Sequence, residues 1–409
     1  MTLSRRTLLG SASLAAAVLP LRPARAQRPK IRIGVLNDMS GPYADDAGPT
    51  SVICAKQAVA DLGDLGFDVE IIAGDHQNKP DIGATIARSW FDQGGVDAIA
   101  DVPTSSVALA VSTVCKEKNK VFIASGPGTT DLTGKQCTPN TVQWTYDVYM
   151  LARSTGGAMV KAGGDSWYFI TADYVFGKQL DDETTRLVQQ AGGKVLGHRD
   201  YPFPDTTDFS SYLVQAQASG AKVLGLAMAG GDTVTCIKQA AEFGLNKTMR
   251  LAALLTSING VHAMGLETAQ GLLFTESFYW DLNDRTRAVT SRIRPHLTKP
   301  SQMLNMVNMG VYGVVTHYLK AVKAVGVAAA KASGAAAVAG MKALPTDDDA
   351  FGKGSVRIDG RALHPAYLLE AKKPSESKGG WDLLKVVATT PGEDAYRPLN
   401  EGGCALVKA

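Results

Sequence analysis

The chain has 409 residues, 45% of them apolar and 20% charged, which excludes a disordered or fibrous polypeptide and leaves room for two domains. Its formal charge of +3 is carried by the leader: residues 1–26 hold four arginines and no acid, so the remainder is −1 (+3 less four). No basic run is left after that, which argues against nucleic acid as a partner.

The first segment in chain order reads as a leader rather than as part of a fold. Arg5-Arg6, the apolar run Leu8 to Leu21 and Ala24-Arg-Ala26 follow the order of a secretory signal, and the run is short for a membrane span. Ser4-Arg-Arg-Thr-Leu-Leu9 also resembles a twin-arginine signal, and the export route stays open. An exported chain with cysteines at 54, 115, 137, 236 and 404 is expected to form a disulfide and to leave at least one thiol free. Cys115 and Cys137 flank one strand and its following loop and are the expected pair. Cys54 and Cys236 sit on apolar helix faces and read equally well as isolated buried thiols.

From Lys30 a steady alternation begins. A strand over 31–36 leads through the loop Ser40-Gly-Pro-Tyr-Ala-Asp-Asp46 to a helix near 50–62, whose Val52, Ala55, Val59 and Leu62 recur at helical spacing. Strands over 68–73, 96–100 and 120–124 follow, with helices opened by Pro80 and spanning 105–118 between them. After about residue 147 the pattern repeats: strands 167–172, 194–199, 222–228 and 249–255, and helices 177–191, 208–219 and 231–243. Repeated βα units of this length predict parallel sheets covered by helices. The fold class expected is therefore α/β, with two doubly wound Rossmann-like lobes. Residues 284–297 and 303–325 read as helices, the Ala/Val/Gly-rich run 324–343 as helical or partly loose, and 354–358 and 365–372 as strands. This last third completes the two lobes rather than adding a third, so the chain crosses between them several times and forms a hinge. The boundaries expected are 1–26 for the signal, 27–146 with 276–345 for lobe 1, and 147–275 with 346–409 for lobe 2. Ligands of open α/β sheets sit beyond the carboxyl ends of strands, and two facing lobes place those ends across a cleft.

Catalytic patterns are missing. The six histidines form no H-E-x-x-H and no convincing metal set, and no G-x-S-x-G elbow is present. No metal, cofactor or catalytic residue is called for. Ser125-Gly-Pro-Gly-Thr-Thr130 is glycine-rich but is neither a dinucleotide fingerprint nor a Walker sequence. With Thr104-Ser-Ser106 it can instead offer N–H groups and hydroxyls to a small anionic group; ordinary helix capping explains part of the same signal. In the first loop, Asp45 and Asp46 would repel phosphate and have no metal partners nearby. Tyr43 is expected to reach the cleft, with Asp45 or Asp46 capping the next helix or bonding a ligand hydroxyl.

These motifs, together with Asp75-His-Gln-Asn-Lys-Pro80, Asp173-Tyr-Val-Phe-Gly177, Thr207-Asp-Phe-Ser-Ser211 and Ile237-Lys-Gln-Ala-Ala-Glu-Phe-Gly-Leu245, occur in one order over 30–372. In that order they resemble the periplasmic solute-binding proteins of ABC importers, in the branched-chain amino-acid-binding (type I) family. The resemblance implies two lobes that close on one ligand, a periplasmic location, and delivery to a membrane permease by a protein taken here as a monomer. It places a ligand carboxylate against Thr104 or Ser105 and against Gly126, Gly128 and Thr129, with Pro127 serving only as wall. Phe176 takes the place of a closing aromatic, with Tyr174 beside it, and Tyr43, Thr256, Ser257 and Tyr312 complete the expected cleft.

One departure is informative. Amino-acid-binding members carry a glutamate after the lobe-2 strand that ends near Leu255, where this chain reads Leu254-Leu-Thr-Ser-Ile-Asn259. A buried ammonium without a counter-ion is costly, so the expected ligand is a small carboxylate with an otherwise apolar body. Tyr201-Pro-Phe-Pro204 and Asn308-Met-Gly-Val-Tyr312 resemble the subgroup that takes up aromatic acids. An amino-acid ligand, with Asp232 as counter-charge, and a sensor of the same fold remain as alternatives.

Overall fold

The computed structural model describes residues 28–407, and the expected signal lies outside them. The sheet nearest the N-terminus starts with β1 (Lys30–Asn37), whose run from Ile33 to Asn37 is buried throughout, as a central parallel strand should be. It pairs in parallel with β2 (Asp68–Asp75) and β3 (Ala98–Asp101), and β4 (Val121–Ala124) and β5 (Thr141–Gln143) extend the sheet in the order β2-β1-β3-β4-β5. Helices α1 (Gly48–Leu62), α2 (Pro80–Asp92) and α3 (Ser105–Glu117) make the crossovers. Trp90 of α2 lies so close to β1 and β2 that a Cβ on Gly34 or Gly74 would meet its ring at 2.2 or 2.8 Å. The two glycines are what admit the indole onto that face.

A second parallel sheet has the order β7-β6-β8-β9, built from β6 (Ser166–Ala172), β7 (Lys194–Tyr201), β8 (Val223–Ala227) and β9 (Arg250–Ala253). Its helices are α4 (Val175–Gln190), α5 (Ser210–Ala218), α6 (Gly230–Glu242) and α7 (Ile258–Met264). In both sheets the first strand lies inside the second, the doubly wound arrangement with its ligand crevice at the strand ends.

The last third weaves between these lobes. β10 (Leu273–Glu276) is followed by α8 (Asp284–Ile293) and by α9 (Met306–Val325), which is buried along most of its length and packs against α1 and α10 (Gly334–Ala343). The capping box of Asn305 and Asn308 starts α9 within three residues of the expected position 303. β11 (Thr346–Asp348), β12 (Gly352–Val356) and β13 (Ala362–Leu363) form a small antiparallel sheet. It rests on α9 and α10, and Arg361 bridges Gln143 at the edge of the first sheet. β14 (Ala366–Ala371) pairs with β10 instead and β15 (Leu384–Thr390) with β14, and Leu369, Ala371 and Leu384 enter the core of the second lobe. Residues 346–363 thus sit with the first lobe, whereas the sequence reading assigned them to the second. Arg361 accounts for this: fully buried, it donates to the Tyr146 carbonyl and lies over the Tyr396 ring.

The C-terminal tail also returns to lobe 1, where the Tyr396 hydroxyl donates to the Thr145 carbonyl and Cys404 forms a disulfide with Cys137. The expected Cys115–Cys137 pair is corrected here. Cys115 lies on the inner face of α3, packed into the first lobe's core, and its thiol faces the Val121 carbonyl. Cys54, Cys115 and Cys236 are free and buried.

Candidate functional site

The carboxyl ends of the central strands of both sheets converge on a cavity between the lobes. Lobe 1 contributes Tyr43, Asp46 and Ala47 from the loop after β1, Pro103 after β3 and Gly126 after β4. Lobe 2 contributes Tyr174 and Phe176 at the start of α4, Ala229 and Gly230 at the start of α6, and Leu255 to Ser257 after β9. Tyr146, Glu276 and Asn305 to Val307 close it from the crossover segments.

Buried polar side chains hold the first loop in shape. Asp38 accepts from the backbone N–H groups of Gly41 and Tyr43 at 2.7 and 2.9 Å and from Asn78 at 2.8 Å. Asn37 donates to Asp101 at 2.6 Å and accepts from the Gly48 N–H. Those bonds carry Tyr43 across the cleft, where its hydroxyl pairs with that of Tyr174 and its ring stacks on Phe203 at 5.5 Å. Tyr174 stacks on the same Phe203 at 4.4 Å and lies 6.0 Å from Phe176. The aromatic wall is thus assembled from both lobes.

Further bonds span the cleft. The Gly231 N–H donates to the Pro42 carbonyl at 3.0 Å, Ser257 donates to Asp46, and Thr129 donates to Gln179 of α4 at 2.8 Å. Gly230 has φ of +61°, and a Cβ there would lie 2.4 Å from the Pro42 oxygen, so only glycine permits this approach. The structure is that of the closed form.

Electrostatically the cavity is acidic. Its lining includes Asp46 and Glu276 but no lysine or arginine. Burial pushes the Asp46 carboxyl up to about 6, against hydrogen bonds from Ser257 and Asn305 that favour its ionised form. Glu276, 2% exposed at the end of β10, is pushed well above the usual carboxylate range, first by burial and then by the charge of Asp46. One of its oxygens, Oε2, accepts from the Met306 N–H at 3.0 Å; the other, Oε1, has no partner. Among the described residues no three His, Cys, Asp or Glu side chains converge as a metal site, and no helix is long and apolar enough to cross a membrane.

Of the residues expected from sequence, Tyr43, Gly126, Tyr174, Phe176, Thr256 and Ser257 line this cavity. Thr104, Ser105, Gly128, Thr129 and Tyr312 do not. The Thr104 hydroxyl is spent on Asn78, and Ser105 accepts from the Thr129 N–H at 3.2 Å. Gly128 instead lets the Phe176 ring approach: a Cβ there would meet that ring at 2.7 Å. Tyr312 faces the other way, its hydroxyl donating to Asp61 at 2.9 Å beside Arg292. Asp232 accepts from Tyr201 at 2.7 Å and lies outside the lining. Tyr146, Glu276, Asn305, Met306 and Val307 were missed. Their only sequence signals were the Trp144-Thr-Tyr146 break between lobes and the Asn305/Asn308 capping pattern.

Two sheets that close a cleft over a small cavity are the architecture of a two-lobed solute-binding protein. A family model described as periplasmic binding protein matches residues 30–380, and the chain belongs to that family. It is 48% identical to a periplasmic binding protein of Burkholderia mallei, covering 93% of this chain and 99% of that one, with a TM-score of 0.87. A branched-chain amino acid ABC transporter periplasmic ligand-binding protein of Burkholderia xenovorans LB400 is 36% identical, over 92% and 99% of the two chains, with a TM-score of 0.80. A solute-binding protein of an R. palustris ABC transporter, solved with 4-hydroxybenzoate, shares the fold at 20% identity over 90% and 98%, with a TM-score of 0.80. The relatives are binding proteins of transporters, not enzymes.

Proposed function

We propose that this protein is the substrate-binding component of an ABC importer, exported by its N-terminal signal, which closes on a small carboxylate with an aromatic body and presents it to a membrane permease. The observation that carries the reading is the aromatic wall. Tyr43, Tyr146, Tyr174 and Phe176 face one closed cavity from both lobes and the crossover, with Leu255, Met306 and Val307 beside them. Such a surface gains most from a flat apolar ligand, through area and ring packing together. With no cation in the lining, a ligand carboxylate would lean on the Thr256 hydroxyl and on backbone N–H groups, the Ser257 proton being held by Asp46.

A second reading has its own observation. Asp46 and Glu276 supply acids that the loop after β9 lacks, which favours an amino-acid ligand with its ammonium at that end. Thermal denaturation with benzoate, 3-phenylpropanoate, leucine and valine separates the two. The aromatic reading expects a saturable rise in Tm with the aromatic acids alone. A rise with leucine or valine and none with the aromatic acids overturns it.

A further inference from the structure

The acid missing from the loop after β9 is replaced from another part of the chain. β10 is an antiparallel hinge strand, and its last residue, Glu276, stands opposite Tyr367 of β14 where the chain leaves lobe 2. From there the side chain reaches the back of the cavity. The Met306 N–H at the first turn of α9 holds Oε2. The Ile258 N–H at the start of α7 also points toward the carboxyl, and Oε1 is left as a buried oxygen with no partner in hydrogen-bond geometry. Leaving a buried polar atom unpaired is costly, so such an atom at a binding site calls for a ligand group to satisfy it. Asp46, in the same lining, is oriented by donors from both lobes, Ser257 and Asn305. Asp46 and Glu276 come from segments 230 residues apart, one on the lip of lobe 1 and one in the hinge. They meet only around the ligand space.

We propose that Glu276 Oε1, with Asp46 beside it, is the acceptor site for an N–H or O–H group of the ligand and makes Glu276 a specificity-determining residue. Resting on the binding-protein reading above, this adds a second requirement: besides its apolar body and carboxylate, the ligand carries a hydroxyl or ammonium directed at the hinge. A site built to pair a donor rejects the analogue lacking it far more strongly than an apolar pocket rejects a missing methylene, because the acceptor is left unpaired. The high proton affinity of the Glu276 carboxyl, which burial and Asp46 produce together, fits either partner. Protonated, it can also donate to a hydroxyl; ionised, it can balance an ammonium.

Four compounds test the proposal independently of the aromatic reading: benzoate, 4-hydroxybenzoate, 4-methylpentanoate and leucine. Each is titrated calorimetrically into the wild type and into Glu276→Gln. Glutamine keeps an oxygen for the Met306 N–H and turns an NH2 group toward the ligand, so the hinge contact survives while the acceptor is lost. The expected result is that the donor-bearing member of at least one pair binds at least tenfold more tightly than its donor-free partner. Glu276→Gln should remove that advantage and leave the donor-free affinity within about threefold. Binding of leucine alone upholds the acceptor site, identifies an ammonium and overturns the aromatic reading; binding of 4-hydroxybenzoate alone identifies a hydroxyl. Equal affinity within both pairs, or an advantage unchanged in Glu276→Gln, overturns the acceptor site and, where benzoate binds, leaves the aromatic reading standing. Silence from all four overturns both. Far-ultraviolet circular dichroism and Tm of the unliganded variant check folding, and 4-methylpentanoate or benzoate binding checks that the cavity persists.

Discussion

Replacing Gly230 by alanine should separate the closing of this protein from its folding. In the closed form a Cβ at this position would lie 2.4 Å from the Pro42 carbonyl oxygen and 2.9 Å from the Tyr43 ring. Ordinary contact between such atoms is about 3.5 Å, so the lip of lobe 1 must retreat by about 1 Å. That retreat breaks the bond from the Gly231 N–H to Pro42, worth about 0.5–1.5 kcal/mol, and loosens Tyr43 in the wall. A loss of about 1.4–2 kcal/mol in closure corresponds to a 10–30-fold weaker Kd. Alanine at φ of +61° also costs about 1–2 kcal/mol, but open and closed forms share that cost, so it appears in unfolding and not in affinity. Gly244 supplies the control. Its φ is +70° and a Cβ there would meet nothing within 4 Å, so Gly244→Ala should lose similar stability with Kd unchanged. The assay pairs urea unfolding of the unliganded proteins with calorimetry, using whichever of the four compounds binds the wild type best. Equal Kd values for wild type and Gly230→Ala, with stability reduced in both variants, would refute the claim that this contact gates closure.

Three other outcomes are expected. For Asp46, whose folded carboxyl is pushed up from 3.8 to about 6, the native state binds the proton more tightly than the unfolded chain. The stability of the wild type relative to Asp46→Asn should therefore fall as pH rises from about 4 to about 7, by at most about 3 kcal/mol; an increase would contradict the assignment. The comparison with the variant removes the opposing effect of His76, held down at about 4 by burial. Peptide mapping without reductant should recover Cys137 joined to Cys404, with Cys54, Cys115 and Cys236 modified only after denaturation; Cys404→Ser should cost about 2–4 kcal/mol. A Cys115–Cys137 peptide would reverse this. Finally, Phe176→Ala should weaken ligand binding at least tenfold, whereas Tyr312→Phe should leave Kd unchanged and cost about 1 kcal/mol through its bond to Asp61.

The parallel lobes were legible because their strands and helices carry their own signals. β1, α2 and β6 have continuous apolar runs, a proline near a helix start and glycines after helix ends, and each boundary falls within a few residues of its expected place. The hinge was not legible for the opposite reason. β5 has three residues and β10 four, and they acquire their strand character from partners 19 and more than 90 positions away in sequence, respectively. Glu276 terminates such a strand, so nothing local marks it as a cavity residue. Residues 346–363 were misplaced for a related reason: their lobe is decided by where a buried Arg361 finds its carbonyl and its ring, and no periodicity encodes that.

The hydroxyl-rich loops teach a different lesson. Thr104, Ser105 and Thr129 have the residue types and positions expected of a carboxylate site, yet each hydroxyl already has a partner within the protein. In the closed form Thr104 locks the loop after β3 to Asn78, Ser105 locks it to the loop after β4, and Thr129 reaches across to Gln179 on lobe 2. Their role in this conformation is to fix loop geometry and to join the lobes. Residues that face the ligand space are instead aromatic rings, two acids and the hydroxyls after β9. Spending short hydroxyls on the frame and rings on the cavity makes physical sense. A hydroxyl bond is directional and net worth about 1 kcal/mol, enough to set a loop, whereas a ring buries large apolar area wherever a flat ligand meets it. The same division explains why Glu276 Oε1 stands out: among the polar side chains of the cavity it is an oxygen that the frame has left unused.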